Sequence, residues 1–156
     1  MSTRECYVVV DDVSSGLRNP ASLCGTVFDA LEGYVVTARV DAYSDYAEQM
    51  PADIRTAEEW LRVRGLARGE GDPGLGIVIS RVDDIGWAIV RAYAPWSVRT
   101  SLHDRAGVMV ATLDDGGFSI TLELTAAQAG AFAACLAPDH SIVSLDNSPW
   151  RDSGSL

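Results

Sequence analysis

Lysine is missing from this 156-residue chain, and all 12 of its basic residues are arginine. Without an amine there is no P-loop lysine, no Schiff-base lysine and no Ser-Lys catalytic pair. Cysteine occurs only at Cys6, Cys24 and Cys135, in no paired spacing. An odd, unpaired set argues against a disulfide framework and for a reducing, cytoplasmic setting, and all three are read as buried thiols. No apolar run nears the roughly 20 residues that a membrane helix needs, and the N-terminus MSTREC lacks a signal peptide's apolar core. No membrane is expected as a partner.

Positive charge is also short, with 12 bases against 22 acids and a formal net charge of −10. That balance argues against nucleic acid as a partner, because affinity for phosphates is carried by cations. It favours encounter with a basic protein. Arginine-only usage in an Ala-, Gly- and Asp-rich chain suggests a GC-rich genome, bacterial or phage.

Catalytic signatures are equally sparse. There are two histidines, each beside an aspartate, so His103, Asp104, Asp139 and His140 outline a metal set on paper. They lack the i, i+4 or Cys-x-x-Cys spacing that puts two ligands on one face, so no metal and no other cofactor is expected. No G-x-S-x-G elbow is present. Gly69, Gly71 and Gly74 match G-x-G-x-x-G, but the run leads from helix to strand rather than strand to helix, and Glu70 and Asp72 would repel a pyrophosphate. It reads as a connection. Nothing in the residues supports an enzyme, although two-carboxylate chemistry leaves no sequence signature among so many acids.

What is present describes a fold. At this length one domain over residues 1–146 has material for a core without cross-links, and residues 147–156 read as a loose tail. Residues 6–13 and 34–43 read as strands, with a helix between them that opens at Asn19-Pro20 and carries Leu23, Val27 and Leu31 on one stripe. Thr56 and Glu59 look like a capping box for a second helix ending near Arg68, on which Arg55, Arg62, Arg64 and Arg68 form a solvated face. Residues 75–82, 86–94 and the strand from 108 read as a meander, with a long loop over 95–107. Asp114-Asp115-Gly116-Gly117 then makes a hairpin turn that sets Leu113 opposite Phe118, Ala111 opposite Ile120 and Met109 opposite Leu122. Thr125 and Gln128 form a capping box for a last helix bearing Ala129, Phe132, Ala133 and Leu136, and residues 141–146 add a short strand. The sum is an α+β domain: an antiparallel sheet, with a β-meander in its second half, and about three helices packed mainly on one face.

Two constellations remain as candidate sites. Asp83-Asp84 and Asp114-Asp115 sit in predicted turns. If the intervening strands simply alternate, the four carboxylates share one end of the sheet, about 10 Å between pairs. An extra strand within 97–103 would separate them. Trp96 and Trp150, each after a proline in an irregular segment, would supply aromatic anchors beside the acids. This pattern suits a small acidic binding protein that inhibits or regulates a basic partner, in the manner of immunity proteins, antitoxins and phage-encoded inhibitors. The alternative is a ligand-binding domain or small enzyme with a pocket between sheet and helices, lined by Tyr93, Arg99, His103 and Asp104. A third reading is an assembly subunit joined through exposed edge strands.

Overall fold

A computed structural model of the chain describes residues 3–11, 20–136, 138 and 140–145. In chain order the elements are β1 (Arg4–Asp11), α1 (Pro20–Ala30), β2 (Thr37–Val40), α2 (Ala52–Leu66), β3 (Ile77–Ser80), α3 (Asp84–Tyr93), β4 (Arg99–His103), β5 (Met109–Asp114), β6 (Ser119–Thr125), α4 (Ala126–Cys135) and β7 (His140–Ser144). The strands form one antiparallel seven-stranded sheet in the order β3-β2-β4-β5-β6-β1-β7. The fold is therefore α+β, with four α-helices among the described residues where the sequence suggests three.

Alternation sorts β3 and β6 into a buried and a more open side. Ile77 and Ile79 are buried while Val78 and Ser80 are exposed, and across the sheet Ile79, Ala38, Leu102, Ala111 and Leu122 follow one another in register. That row meets the helices: Val27 and Leu31 of α1, Leu61 of α2, Val90 and Tyr93 of α3 and Phe132 of α4 complete the core. The opposite row, Val78, Arg39, Ser101, Thr112 and Thr121, is mostly polar or charged, although Ser101 and Thr112 in mid-sheet are buried.

The capping box of α4 forms as expected: the Thr125 hydroxyl accepts from the Gln128 amide, and the Gln128 side chain accepts from the Thr125 amide. Three other expectations are corrected. Residues 86–94 are not a strand but most of α3, because Asp83 caps the first turn through the Gly86 amide at 2.9 Å and Gly86, Val90 and Tyr93 are buried at helical spacing. Residues 99–103, expected within a loop, are β4 in the interior of the sheet. Helix α2 begins at Ala52, four residues before the supposed capping box, and the Thr56 hydroxyl donates to the Ala52 carbonyl inside it.

The β5–β6 hairpin keeps its faces but shifts its register. Leu113 pairs with Ile120 and Ala111 with Leu122, so the turn is 115–118 and Phe118 sits at its tip instead of opposite Leu113. A shift of two leaves every side chain on its original face. Of the cysteines, Cys24 is buried, Cys6 half-buried and Cys135 exposed, so one of the three expected buried thiols is on the surface. The expected tail at 147–156 lies outside the described residues.

Candidate functional site

Strand directions decide which acids meet. Strand β2 is antiparallel to both β3 and β4, and β4 is antiparallel to β5. Strands β3 and β5 therefore run oppositely, which puts Asp83-Asp84 at one end of the sheet and Asp114-Asp115 at the other. The four carboxylates do not share a rim, because α3 stands where the sequence suggests a strand and carries the chain over so that β3 and β4, with β2 between them, run parallel. Asp83 is occupied by its capping bond and by Arg64 at 2.7 Å. The Gly86 amide, opposed by desolvation and aided by Arg64, holds its carboxyl below the usual range.

A different acidic end takes shape around Asp114 and Asp115. The Val98 amide donates to the Tyr43 carbonyl, and the Asp115 amide donates to the Val98 carbonyl. The sheet ladder thus extends past the regular strands and ties the loop after β2 to the turn after β5, about 10 Å away across two strand spacings. The turn itself is tight. Asp115, Gly116 and Gly117 have φ of 51°, 68° and 91°, a left-handed run that glycine adopts freely and aspartate tolerates. A Cβ on Gly116 would overlap the Pro95 carbonyl oxygen, so the turn is pressed against the segment that precedes Trp96. The Cys24 thiol of α1 also contacts the Gly116 carbonyl, at 3.6 Å.

Carboxylates and aromatic rings collect at this end. Asp45, Glu48 and Asp53 lie in the loop after β2 and the first turn of α2, all exposed, and the turn after β5 adds exposed Asp115 and half-buried Asp114. Arg55, within that helix start, spends its guanidinium on the Met50 and Ala47 carbonyls, and Arg99 lies 3.6 Å from Asp114. Tyr46 is 42% exposed and Phe118 48%, while Trp96 is half-buried against the core. Of the six residues expected to form an acidic and aromatic rim, Asp114, Asp115 and Trp96 meet, Asp83 and Asp84 lie at the far end, and Trp150 is outside the described residues. Tyr46, Asp45 and Glu48 carry no signal in the sequence beyond that of a generic polar loop. Phe118 is hidden there by its alternation with Ile120 and Leu122, which makes it look like the first core residue of a strand.

The residues proposed to line a pocket are divided by the sheet. Tyr93 is buried on the helix side, where its hydroxyl donates to the Glu58 carboxylate; burial first, and that bond second, push its pKa up. Asp104 lies in the β4–β5 turn, accepting from the Ala106 and Val108 amides and from Arg4. Burial raises its pKa, but Arg4 and the two amides outweigh that and leave it lowered. Arg99 and His103 do come together, on the open face. With Arg39, Asp41, Leu75, Gly76, Ser101 and Met109 they line a cleft of about 400 Å³. The Ser101 hydroxyl is 2.9 Å from His103 Nε2, and Asp41 accepts from the Gly76 amide at 2.7 Å. Among the described residues the Arg39 guanidinium has no hydrogen-bonding or ionic partner; it lies on Gly76, where a Cβ would come within 2.6 Å of it.

Among the described residues no group of three or more His, Cys, Asp or Glu is arranged to hold a metal ion, and no helix is long and apolar enough to cross a membrane. Comparison of the chain with known protein families, curated proteins and solved structures finds no match.

Proposed function

We propose that this chain is a small acidic binding protein that inhibits or regulates a more basic protein, acting in the cytoplasm of a bacterial or phage-infected cell as immunity proteins, antitoxins and phage inhibitors do. The partner docks on the end of the sheet built from residues 43–53 and 114–118. One observation carries this reading: the ladder through Tyr43, Val98 and Asp115 ties the loop that bears Asp45, Tyr46 and Glu48 to the turn that bears Asp115 and Phe118, with both rings exposed. Rings give an interface its anchoring area, while surrounding charge steers the encounter and selects the sign of the partner.

The test is capture from a lysate of the source cell with the wild-type chain and with Tyr46→Ala/Phe118→Ala as paired baits. A stoichiometric basic protein retained by the first bait and lost from the second supports the reading. A partner that both baits retain equally removes this end from the interface.

A second reading belongs to the cleft, where unpartnered Arg39 favours a small oxyanion held between Arg39 and Arg99, with Ser101 and His103 beneath. Calorimetric titration with inorganic phosphate and with citrate checks it. Binding that disappears in Arg39→Gln supports a ligand-binding protein, and no heat at millimolar concentration sets that reading aside.

A further inference from the structure

We infer that β3 is a self-association edge, and that two copies of this chain join by antiparallel pairing of their β3 strands about a two-fold axis through Val78. Strand β3 ends the sheet, with β2 on one side and, among the described residues, no strand on the other. The register says which backbone groups it leaves unused. The Arg81 amide donates to the Val36 carbonyl, so Arg81, Ile79 and Ile77 turn their polar groups toward β2. Alternation then turns the N–H and C=O of Val78, and the N–H of Ser80, outward. The Ser80 carbonyl is already taken by the Asp83 amide.

Those outward groups are self-complementary. With Val78 opposite Val78 of a second copy, the two residues exchange a pair of hydrogen bonds, and each Ser80 N–H meets the Gly76 carbonyl of the other strand. That carbonyl accepts from Arg68 at 3.0 Å and has a second lone pair to offer. Residues directly opposite share a face, so Val78 meets Val78 on the open face while Ile77 and Ile79 extend the core beneath.

The surroundings fit a second copy better than solvent. The edge sequence from Leu75 to Ser80 carries no charge in a chain of net charge −10. Leu75, Val78, Val82 and Ile85, within or directly flanking this strand, are all exposed. Val78 is 60% exposed and Val82 89%. Such a concentration beside an unpaired edge marks an association surface. Charge is complementary as well. Arg68 covers the carbonyls at the N-terminal end of β3, and exposed Asp84 follows its C-terminal end, where Asp83 is already engaged by Arg64. Antiparallel pairing brings Arg68 at one end of each strand toward Asp84 at the end of the other. A two-fold contact of this kind closes at the dimer and leaves no free β3 edge.

The test is sedimentation of the purified chain from about 1 to 300 µM, with a cross-linking arm. The wild type is expected to shift from monomer to dimer, and Val78→Arg, which sets two like charges on the axis, to remain monomeric with unchanged circular dichroism. In a Cys135→Ser background, Val78→Cys is expected to form a disulfide-linked dimer under mild oxidation, since opposed Cα atoms about 5.5 Å apart suit the bond. Val108→Cys, exposed in the distant β4–β5 turn, is expected not to cross-link. A wild type that stays monomeric throughout, or a dimer that survives Val78→Arg, overturns the inference. So does equal cross-linking at both positions.

Discussion

At the scale of single residues, two glycines in helices separate packing from propensity. Gly65 lies in α2, where the loop before β3 crosses close by: a Cβ there would overlap the Pro73 carbonyl oxygen and stand 2.6 Å from its carbon. These are backbone atoms that cannot swing away, so the helix and loop must part to admit a methyl group. Gly130 sits on the exposed side of α4, and a Cβ added to it would find no neighbour within 4 Å. Opposite signs are expected. Gly65→Ala should destabilise by about 2–3 kcal/mol through overpacking. Gly130→Ala should stabilise by roughly 0.5–1 kcal/mol, because alanine has less backbone freedom to lose on folding. Urea unfolding of both variants checks the pair, and a stability loss at Gly130 would show that its face of α4 is covered.

At the scale of elements, α3 depends on one carboxylate. Asp83 caps the helix and pairs with Arg64, and its pKa is lowered in the folded chain by the Gly86 amide first. A depressed pKa means stability that is present above the usual carboxylate range and lost as pH falls through the folded value. The melting temperature of wild type should therefore exceed that of Asp83→Ala at pH 7, and the gap should close as the pH is lowered toward 3. Thermal melts at pH 7, 5 and 3 test this, and a gap that stays constant would mean that the acid group contributes only by shape. The helix that this bond starts is also the element least legible in the sequence. Trp87, Ile89, Arg91 and Tyr93 alternate with Ala88, Val90 and Ala92 well enough to pass for a strand, and ten residues give under three turns in which helical spacing can assert itself. Strand β4 is illegible for the opposite reason. Thr100, Ser101 and Leu102 are all buried in mid-sheet, so its sequence neither alternates nor forms an apolar run. By contrast, the β5–β6 hairpin and α4 are legible because turn residues, period and capping box agree. The site inherits both outcomes: Asp114 and Asp115 announce themselves through their turn, while the hidden α3, a crossover between parallel β3 and β4, sends Asp83 and Asp84 to the opposite end.

At the scale of the whole molecule, the acidic end and the β3 edge are separate surfaces whose directions are linked. The acidic end lies where β2 and β5 finish, and the self-pairing edge runs along the side of the sheet. Antiparallel joining of two β3 strands would turn the acidic ends of the two copies in opposite directions, leaving both open to a partner. The two surfaces should then vary independently. Asp45→Asn, Glu48→Gln and Asp115→Asn together should weaken binding of a basic partner by about tenfold or more at low salt and flatten its salt dependence, since charge pairs at an interface rim act mainly through screened, long-range attraction. Asp84→Asn, at the far end, should change neither. Val78→Arg should bind the same partner with unchanged affinity per chain, and the triple acidic variant should dimerise as wild type does. Titration calorimetry at two salt concentrations, read beside sedimentation, measures both. If Val78→Arg lost the partner while remaining folded, the partner would be shown to bridge two copies, and the acidic ends would have to be brought together rather than turned apart.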